Sequence, residues 1–331
     1  MGTAKYPGAR TTLAAGLMLA VVLLVLAASV DPAEAAFPGK NGKIAYVKES
    51  FRGSGIFTMK PDGSGQSKLT SGNSPSWSAD GQKVVFERFT GESEEDFDAN
   101  IFVMDADGSD VRQITSGESY DFDPSFSPDG ETIVFARETY DEGADTVTVD
   151  VFAVDVDSPQ VATNLTNTLG TDEVSPVYSP DGSKIAFTRY GATNAEILVM
   201  NSADGSDKQN LTQTRGADEY GPDWSPDGSK IVFTTYSFSF GEGEGGDGEI
   251  AVMNSADGTQ RQNLTDSAAD ENSPAFSPDG QRIVFSKFSY SRTRGERSDI
   301  FVMRADGTTR ATKLTDTRAF EWGPNWQPLP Q

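Results

Sequence analysis

The sequence predicts an all-β fold in which one short antiparallel unit is repeated around a ring. Three observations carry this expectation. First, a phrase begins at Pro75, Pro124, Pro176, Pro222, Pro274 and Pro324: a Pro, an aromatic two residues on, then Ser and an Asp-Gly turn. Five copies read PSWSADG, PSFSPDG, PVYSPDG, PDWSPDG and PAFSPDG, and the sixth is the shorter PNWQP. Their starts lie 49, 52, 46, 52 and 50 residues apart. A fixed period of this size marks one supersecondary unit in tandem. Second, each period holds four short runs of β-branched and aromatic residues and no long helical periodicity. Third, the repeat opens on the second of these runs and ends on the first. Together they predict a six-bladed β-propeller of four-stranded antiparallel blades.

In the unit at Pro176 the four strands, A to D, are Val177-Tyr178, Ile185-Ala186-Phe187, Ile197-Leu198-Val199-Met200 and Asn210-Leu211-Thr212. Ser-Pro-Asp-Gly joins A to B, because Pro presets φ and Gly tolerates positive φ. A second Asp-Gly turn joins C to D at Asp107-Gly108, Asp204-Gly205, Asp257-Gly258 and Asp306-Gly307. Strand B is apolar without alternation, as in Ile133-Val134-Phe135, which suits a sheet covered on both faces. PNWQP stops where Pro38–Ile44 would continue it. The last strand A is therefore expected to complete a blade with the first B, C and D, closing the ring and removing both edges.

The phrase PxWSPDGxxIxF, followed by IxVMxxDGxxxxxLT, resembles the WD40-like repeat called PD40. That repeat is found in the propeller of the periplasmic Tol-system protein TolB, and the propellers of prolyl-oligopeptidase-type proteins are broadly similar. The resemblance covers roughly residues 38 to 331. It implies the propeller fold. Neither an N-terminal α/β domain like that of TolB nor a following hydrolase domain is expected.

Lys5 and Arg10, the apolar run Leu13–Val30 and Ala33-Glu34-Ala35 read as an export signal over residues 1–35, cleaved near Ala35/Ala36. An uncleaved anchor is the alternative. Residues 36–331 then form a single propeller domain outside the cytoplasmic membrane, periplasmic or extracellular. With no Cys the chain has no disulfide and no lipoprotein anchor. A net charge of -23 makes nucleic acid and anionic membrane surfaces poor partners, and no nucleic-acid partner is expected. With no His, the commonest general base and transition-metal ligand are missing.

A–B and C–D turns fall on one side of the disc, and the longer B–C and D–A loops on the other. The B–C loops Thr90–Ala99, Glu138–Asp150 and Tyr236–Glu249 carry 14 carboxylates, while Ser289–Asp299 carries Arg292, Arg294 and Arg297. Three residues before the motif Pro stand Asp121, Glu173, Glu219, Glu271 and Glu321, with Gly72 in the remaining unit. Two residues after the strand-B aromatic stand Lys48, Arg88, Arg137, Arg189 and Lys287, with Thr235 the exception. Both rows are expected to ring one channel mouth. They form salt bridges Asp121/Arg137, Glu173/Arg189, Glu271/Lys287 and Glu321/Lys48, or else a binding crown. Glu219 and Arg88, each without a partner, are the freest to meet a ligand. Tyr236, Phe238 and Phe240 alternate, as do Phe288 and Tyr290, which predicts protruding hairpins that pack on each other or else offer an aromatic contact patch flanked by Arg292 and Arg294.

Asp105, Asp107 and Asp110 have the oxygen-ligand spacing of a calcium loop but lack its terminal Glu. Asn164-Leu-Thr, Asn210-Leu-Thr and Asn263-Leu-Thr match the glycosylation sequon because strand D ends in Leu-Thr. The Ser of Ser-Pro-Asp-Gly has no His to activate it. These readings point to a non-catalytic, exported binding or scaffold protein. It needs no cofactor apart from the calcium candidate, and it holds a protein or polysaccharide on the B–C/D–A face. The alternative is a carbohydrate-active enzyme using paired carboxylates, although known propeller lyases and sialidase-like families rely on His-bound metal or Asp-box turns.

Overall fold

The computed structural model describes residues 37–50, 53–90, 98–117, 119–141, 146–159, 161–237, 247–291 and 295–330. The expected signal segment and the residues Phe238, Phe240, Arg292 and Arg294 lie outside that set. The described residues form strands without a helix, so none is long and apolar enough to cross a membrane.

The chain opens with β1 (Lys40–Ser50), β2 (Gly53–Met59) and β3 (Ser67–Thr70). Five meanders follow in the order A, B, C, D. They are β4 (Asn73–Trp77), β5 (Lys83–Phe89), β6 (Ala99–Asp105) and β7 (Arg112–Gln113); β8 (Tyr120–Phe126), β9 (Thr132–Asp141), β10 (Thr146–Asp155) and β11 (Thr163–Asn164); β12 (Asp172–Tyr178), β13 (Lys184–Tyr190), β14 (Ala195–Asn201) and β15 (Gln209–Asn210). Then come β16 (Ala217–Trp224), β17 (Lys230–Ser237), β18 (Gly248–Asn254) and β19 (Gln262–Asn263), and β20 (Glu271–Phe276), β21 (Arg282–Ser291), β22 (Gly295–Arg304) and β23 (Thr312–Lys313). The final strand, β24 (Phe320–Leu329), pairs antiparallel with β1, joining Ile44 to Trp326 and Lys48 to Glu321.

Two meanders are separate four-stranded sheets, while the others merge in pairs through one parallel contact each, Ala99 with Tyr120 and Ser298 with Phe320. At the equivalent place in three of the four remaining seams an Asp side chain takes the strand-C amide. Val149, Ala195 and Gly248 donate to Asp172, Asp218 and Asp270 at 3.1, 2.7 and 3.0 Å. Backbone and carboxylate thus satisfy the same orphan donor by different means. Each first strand touches the first strands on either side, from β4 through β8, β12, β16, β20 and β24 back to β4.

The repeated phrase is a set of structural devices. Its aromatic packs on strands B and C of the preceding unit: Tyr178 meets Val134 and Val151, Phe276 meets Val232 and Ile250, and Trp77 meets Ala45 and Ile56. The strand-B aromatics Phe86, Phe135, Phe187 and Phe285 are sealed completely. Truncating one such ring costs about 3–5 kcal/mol. The phrase Ser caps the hairpin: Ser179 Oγ donates to Asp181 at 2.6 Å and accepts the Lys184 amide at 3.0 Å. The four sister turns repeat both bonds.

Apart from β3, which keeps Leu69 and Thr70, strand D is shorter than the sequence predicts, because its last two residues fall outside it. The Thr hydroxyl nevertheless continues its ladder, accepting strand-C amides from Ile197 to Thr212 at 3.0 Å and from Ile300 to Thr315 at 2.9 Å. The residue before the phrase Pro adopts positive φ in every unit, 48° at Ser74 and 52° at Asp123 and Ser175. It sits in a β-bulge, visible as the register shift between Phe122 and Ser125 and between Val174 and Val177.

Candidate functional site

The acids before each Pro begin strand A on the B–C/D–A side. They are buried rather than lining an open mouth: Asp121 and Glu321 are 0% exposed, and Glu173, Glu219 and Glu271 at most 2%. Three of the expected pairs form. Arg137 grips Asp121 through Nε and Nη2 at 2.6 and 2.7 Å, Lys287 meets Glu271 at 2.6 Å, and Lys48 meets Glu321 at 2.8 Å. The fourth does not. Arg189 faces Glu196 across β13 and β14 and bonds it at 3.3 Å. Glu173 is held by Thr168 and Thr171 hydroxyls at 2.9 and 2.7 Å, and burial still lifts its pKa.

Neither residue expected to be free is so. Arg261 reaches Glu219 at 3.4 Å from the C–D turn of the same unit. Burial raises Glu219 to about 7, against hydrogen bonds from Thr214 and Thr212 and the Arg261 charge. Arg88 donates Nε to the Ser71 carbonyl at 3.0 Å and Nη2 to Thr70 Oγ1 at 2.6 Å. Its guanidinium lies 5.1 and 4.9 Å from the Phe86 and Phe102 ring centres. Arg137 stacks the same way on Phe135 and Phe152. Gly72 leaves Arg88 without the carboxylate, and a Cβ there would lie 2.7 Å from the Glu87 carbonyl and the Phe86 ring.

A buried acid relay escaped the sequence reading. Glu87 Oε2 accepts the Asp123 amide at 3.0 Å, and Asp123 Oδ2 accepts the amide and hydroxyl of Ser175 at 3.2 and 3.0 Å. It runs through three consecutive units. Burial, with the Asp123 charge second, pushes Glu87 up to about 8. Burial pushes Asp123 to about 7 against the Ser175 hydrogen bonds. The available signal was a break in the repeat: Glu87 stands where the sister units carry Val47, Ala136, Thr188, Thr234 and Ser286.

Aromatic side chains gather on the same side. Tyr220 lies 5.6 Å from Tyr190 and 5.8 Å from Tyr236. Its hydroxyl donates to Asp218 at 2.9 Å, and the Tyr236 hydroxyl donates to Asn272 at 2.8 Å. Burial first, and then the Asp123, Asp218 and Asp172 charges, keep Tyr190 protonated far above the ordinary range. A second group joins Phe89, Tyr120 and Phe122 at 5.8 and 5.2 Å. The expected contact hairpins divide: Tyr236 and Phe288 are half-buried, with Phe288 stacked on Phe320 at 6.3 Å, while Tyr290 is 70% exposed.

The calcium candidate does not assemble. Asp105 binds Lys83 at 3.0 Å, and Asp107 accepts the Ser109 amide and hydroxyl at 2.9 and 2.6 Å. Asp110 serves the turn at a φ of 51°. Among the described residues no group of three or more acids is arranged to hold a metal ion. The sequon Asn164 is likewise occupied, donating to Asp150 at 3.0 Å.

No family model matches the chain. TolB of Acinetobacter baumannii superposes with a TM-score of 0.68 and 22% identity, covering 98% of this chain and 74% of TolB. The β-propeller domain of the trilobed protease of Pyrococcus furiosus superposes with a TM-score of 0.51 and 14% identity, over 87% and 97% of the two chains. The chain has the fold of a TolB-like β-propeller. An oligogalacturonate lyase, determined with manganese, shares it at a TM-score of 0.55 and 16% identity over 85% of this chain and 77% of the lyase. By sequence, 145 residues are 32% identical to the uncharacterized protein Atu1656 of Agrobacterium fabrum. That match covers 41% of this TolB-like chain and spans about half, 47%, of the relative.

Proposed function

We propose that this protein is an exported, non-catalytic binding or scaffold propeller. It holds an envelope or extracellular protein, or a polymer, on the face formed by the B–C and D–A loops. Residues 1–35 direct export and residues 36–331 form one domain of six blades, the sixth made from β24 with β1 to β3. The pairing of β24 with β1 and the unbroken contact from β4 round to β24 support the blade count and closure.

The observation that carries the binding reading is the contrast on this face. Every acid of the row is buried on a partner, whereas Tyr190 and Tyr236, in the group around Asp218, are only half-buried and Phe89, beside Tyr120, is exposed. Flat aromatic surfaces next to hydrogen-bonding carboxylates suit a partner's rings or apolar side chains. Paired carboxylates, as a glycoside-cleaving enzyme needs, exist here in Glu87 and Asp123. Their pKa values rise together, however, and both are sealed from substrate, whereas acid–base catalysis needs an accessible pair pushed apart.

The test immobilises the wild-type protein and the Phe89→Ser and Tyr236→Ala variants in envelope extract, with and without calcium. A discrete partner or polymer retained by wild type and lost by both variants is expected. Turnover of a polysaccharide with nothing retained overturns the reading in favour of the enzyme.

A further inference from the structure

In three units the cation that opens strand B is balanced by the residue facing it on strand C. Lys83 Nζ donates to Asp105 at 3.0 Å, Lys184 to Asn201 at 2.5 Å and Lys230 to Asn254 at 3.3 Å. In the β20–β23 unit both places are arginine, Arg282 facing Arg304. Like charges directly opposite on adjacent strands are destabilising. Asp306 answers Arg304 at 3.0 Å. Among the described residues no ion pair answers Arg282.

Arg310 adds a third cation. It stands three residues past the turn glycine, as Lys208 and Arg261 do. Those two reach carbonyls of the preceding unit. Lys208 donates to the Leu165 and Thr166 carbonyls at 3.4 Å, and Arg261 donates to those of Leu211 and Thr212. No such bond holds Arg310 among the described residues. With Arg282 and Arg304 it lines a cleft of about 450 Å³ whose apolar wall is Val302, Leu314 and Pro61. The cleft lies on the side of the A–B and C–D turns, away from the aromatic face. Asp62 also borders it and stays charged, its Oδ1 held by the Ser64 amide and hydroxyl at 3.0 and 2.7 Å, so three cations face one carboxylate in the lining. Three arginines thus converge on one cleft in a chain of net charge -23.

We propose that this cleft binds an acidic segment of a polypeptide partner. Its carboxylates would bridge Arg282, Arg304 and Arg310, and its apolar side chains would seat on Val302, Leu314 and Pro61. The guanidinium fork matches a carboxylate in two parallel hydrogen bonds. The apolar wall favours a peptide over a hydroxylated polyanion, which has nothing to bury there. The volume falls within the range of preformed ligand sites, about 300–1,000 Å³. Bound carboxylates relieve the Arg282–Arg304 repulsion, so the ligand also stabilises the fold.

Fluorescence anisotropy of the full chain with a labelled peptide of alternating Glu and Leu tests this, at low and high salt. Binding that weakens by about tenfold in Arg310→Ser and Arg282→Ser, and falls with salt, is expected. Arg310 is exposed and carries no hydrogen bond or ion pair among the described residues, so its variant is expected to fold as wild type. Phe89→Ser on the opposite side should bind the peptide normally, which separates failure here from failure of the aromatic face. Unchanged affinity in Arg310→Ser overturns the proposal. So does equal binding of a Gln and Leu peptide, or displacement of the acidic peptide by polygalacturonate or inorganic phosphate at equal charge.

Discussion

Gln327 Oε1 accepts the backbone amide of Lys43 at 3.1 Å, across 284 positions of sequence. In the other units a phrase Ser does this five residues away, as Ser78 does for Lys83 at 2.9 Å. Gln327 also donates Nε2 to the Gly81 carbonyl of the next unit at 2.7 Å. Gln327→Ala should cost about 1–2 kcal/mol in urea unfolding, the value of a buried hydrogen-bonding group left unpaired. Deleting residues 323–331 should remove most of the folding free energy, because β1 then loses its partner strand. A truncated chain that unfolds at the wild-type urea concentration would contradict the closure.

The C–D turn glycines touch the neighbouring unit. At Gly205 and Gly258 φ is +69° and +68°, and a Cβ would lie 2.0 Å from the Leu165 and Leu211 carbonyl oxygens. Gly130 has φ +74° with nothing within 4 Å. Gly130→Ala should therefore show only the left-handed backbone penalty, about 1 kcal/mol. Gly258→Ala must in addition push two units apart. Thermal unfolding should rank Gly258→Ala well below Gly130→Ala, and equal melting would mean the seam yields freely.

Arg137 and Arg88 occupy equivalent places but face different losses. Removing Arg137 strands the fully buried Asp121, which costs about 3–5 kcal/mol. Arg88→Ala forfeits two hydrogen bonds and its stacking, about 1–2 kcal/mol. Parallel urea titrations compare them, and a larger loss at Arg88 would place an undetected anion beside it.

Glu87 and Asp123 hold their protons more tightly folded than unfolded, with pKa values of about 8 and 7. The unfolded values are about 4. The stability they contribute is complete below about pH 4 and is lost as pH rises through 7 and 8. Glu219, also raised to about 7, acts in the same direction. The urea midpoint should thus fall between mildly acidic and mildly alkaline buffer. Glu87→Gln keeps the acceptor for the Asp123 amide and should flatten that slope. An unchanged slope would assign the effect to the surface charge instead.

The strands were legible because the phrase places Pro, aromatic, Ser and Asp-Gly at fixed offsets, and each has a local job. The face of the acid row was legible for the same reason. The row's burial was not, since sequence shows register but not depth. Arg189 stands opposite both Glu173 and Glu196, and it bonds Glu196 while Thr168 and Thr171 hold Glu173; strand register showed both neighbours but not the choice. Arg261 reaches Glu219 over 42 positions, and nothing local announces it. Positive φ at Ser74, Asp123 and Ser175 runs against the extended preference of a residue before Pro, so tertiary packing overrides the local rule.

The partnership of β1 with β24 also orders events during synthesis. β1 ends at Ser50 and β24 begins at Phe320, so the first strand made waits for the last. At about 5–20 residues per second that delay is roughly 15–55 s. Throughout it β1 presents an unpaired edge that any passing strand can occupy. A ribosome that stalls before Phe320 releases a chain without β24, with that edge of β1 open and the ring unclosed, and the open edge is what quality control would have to recognise.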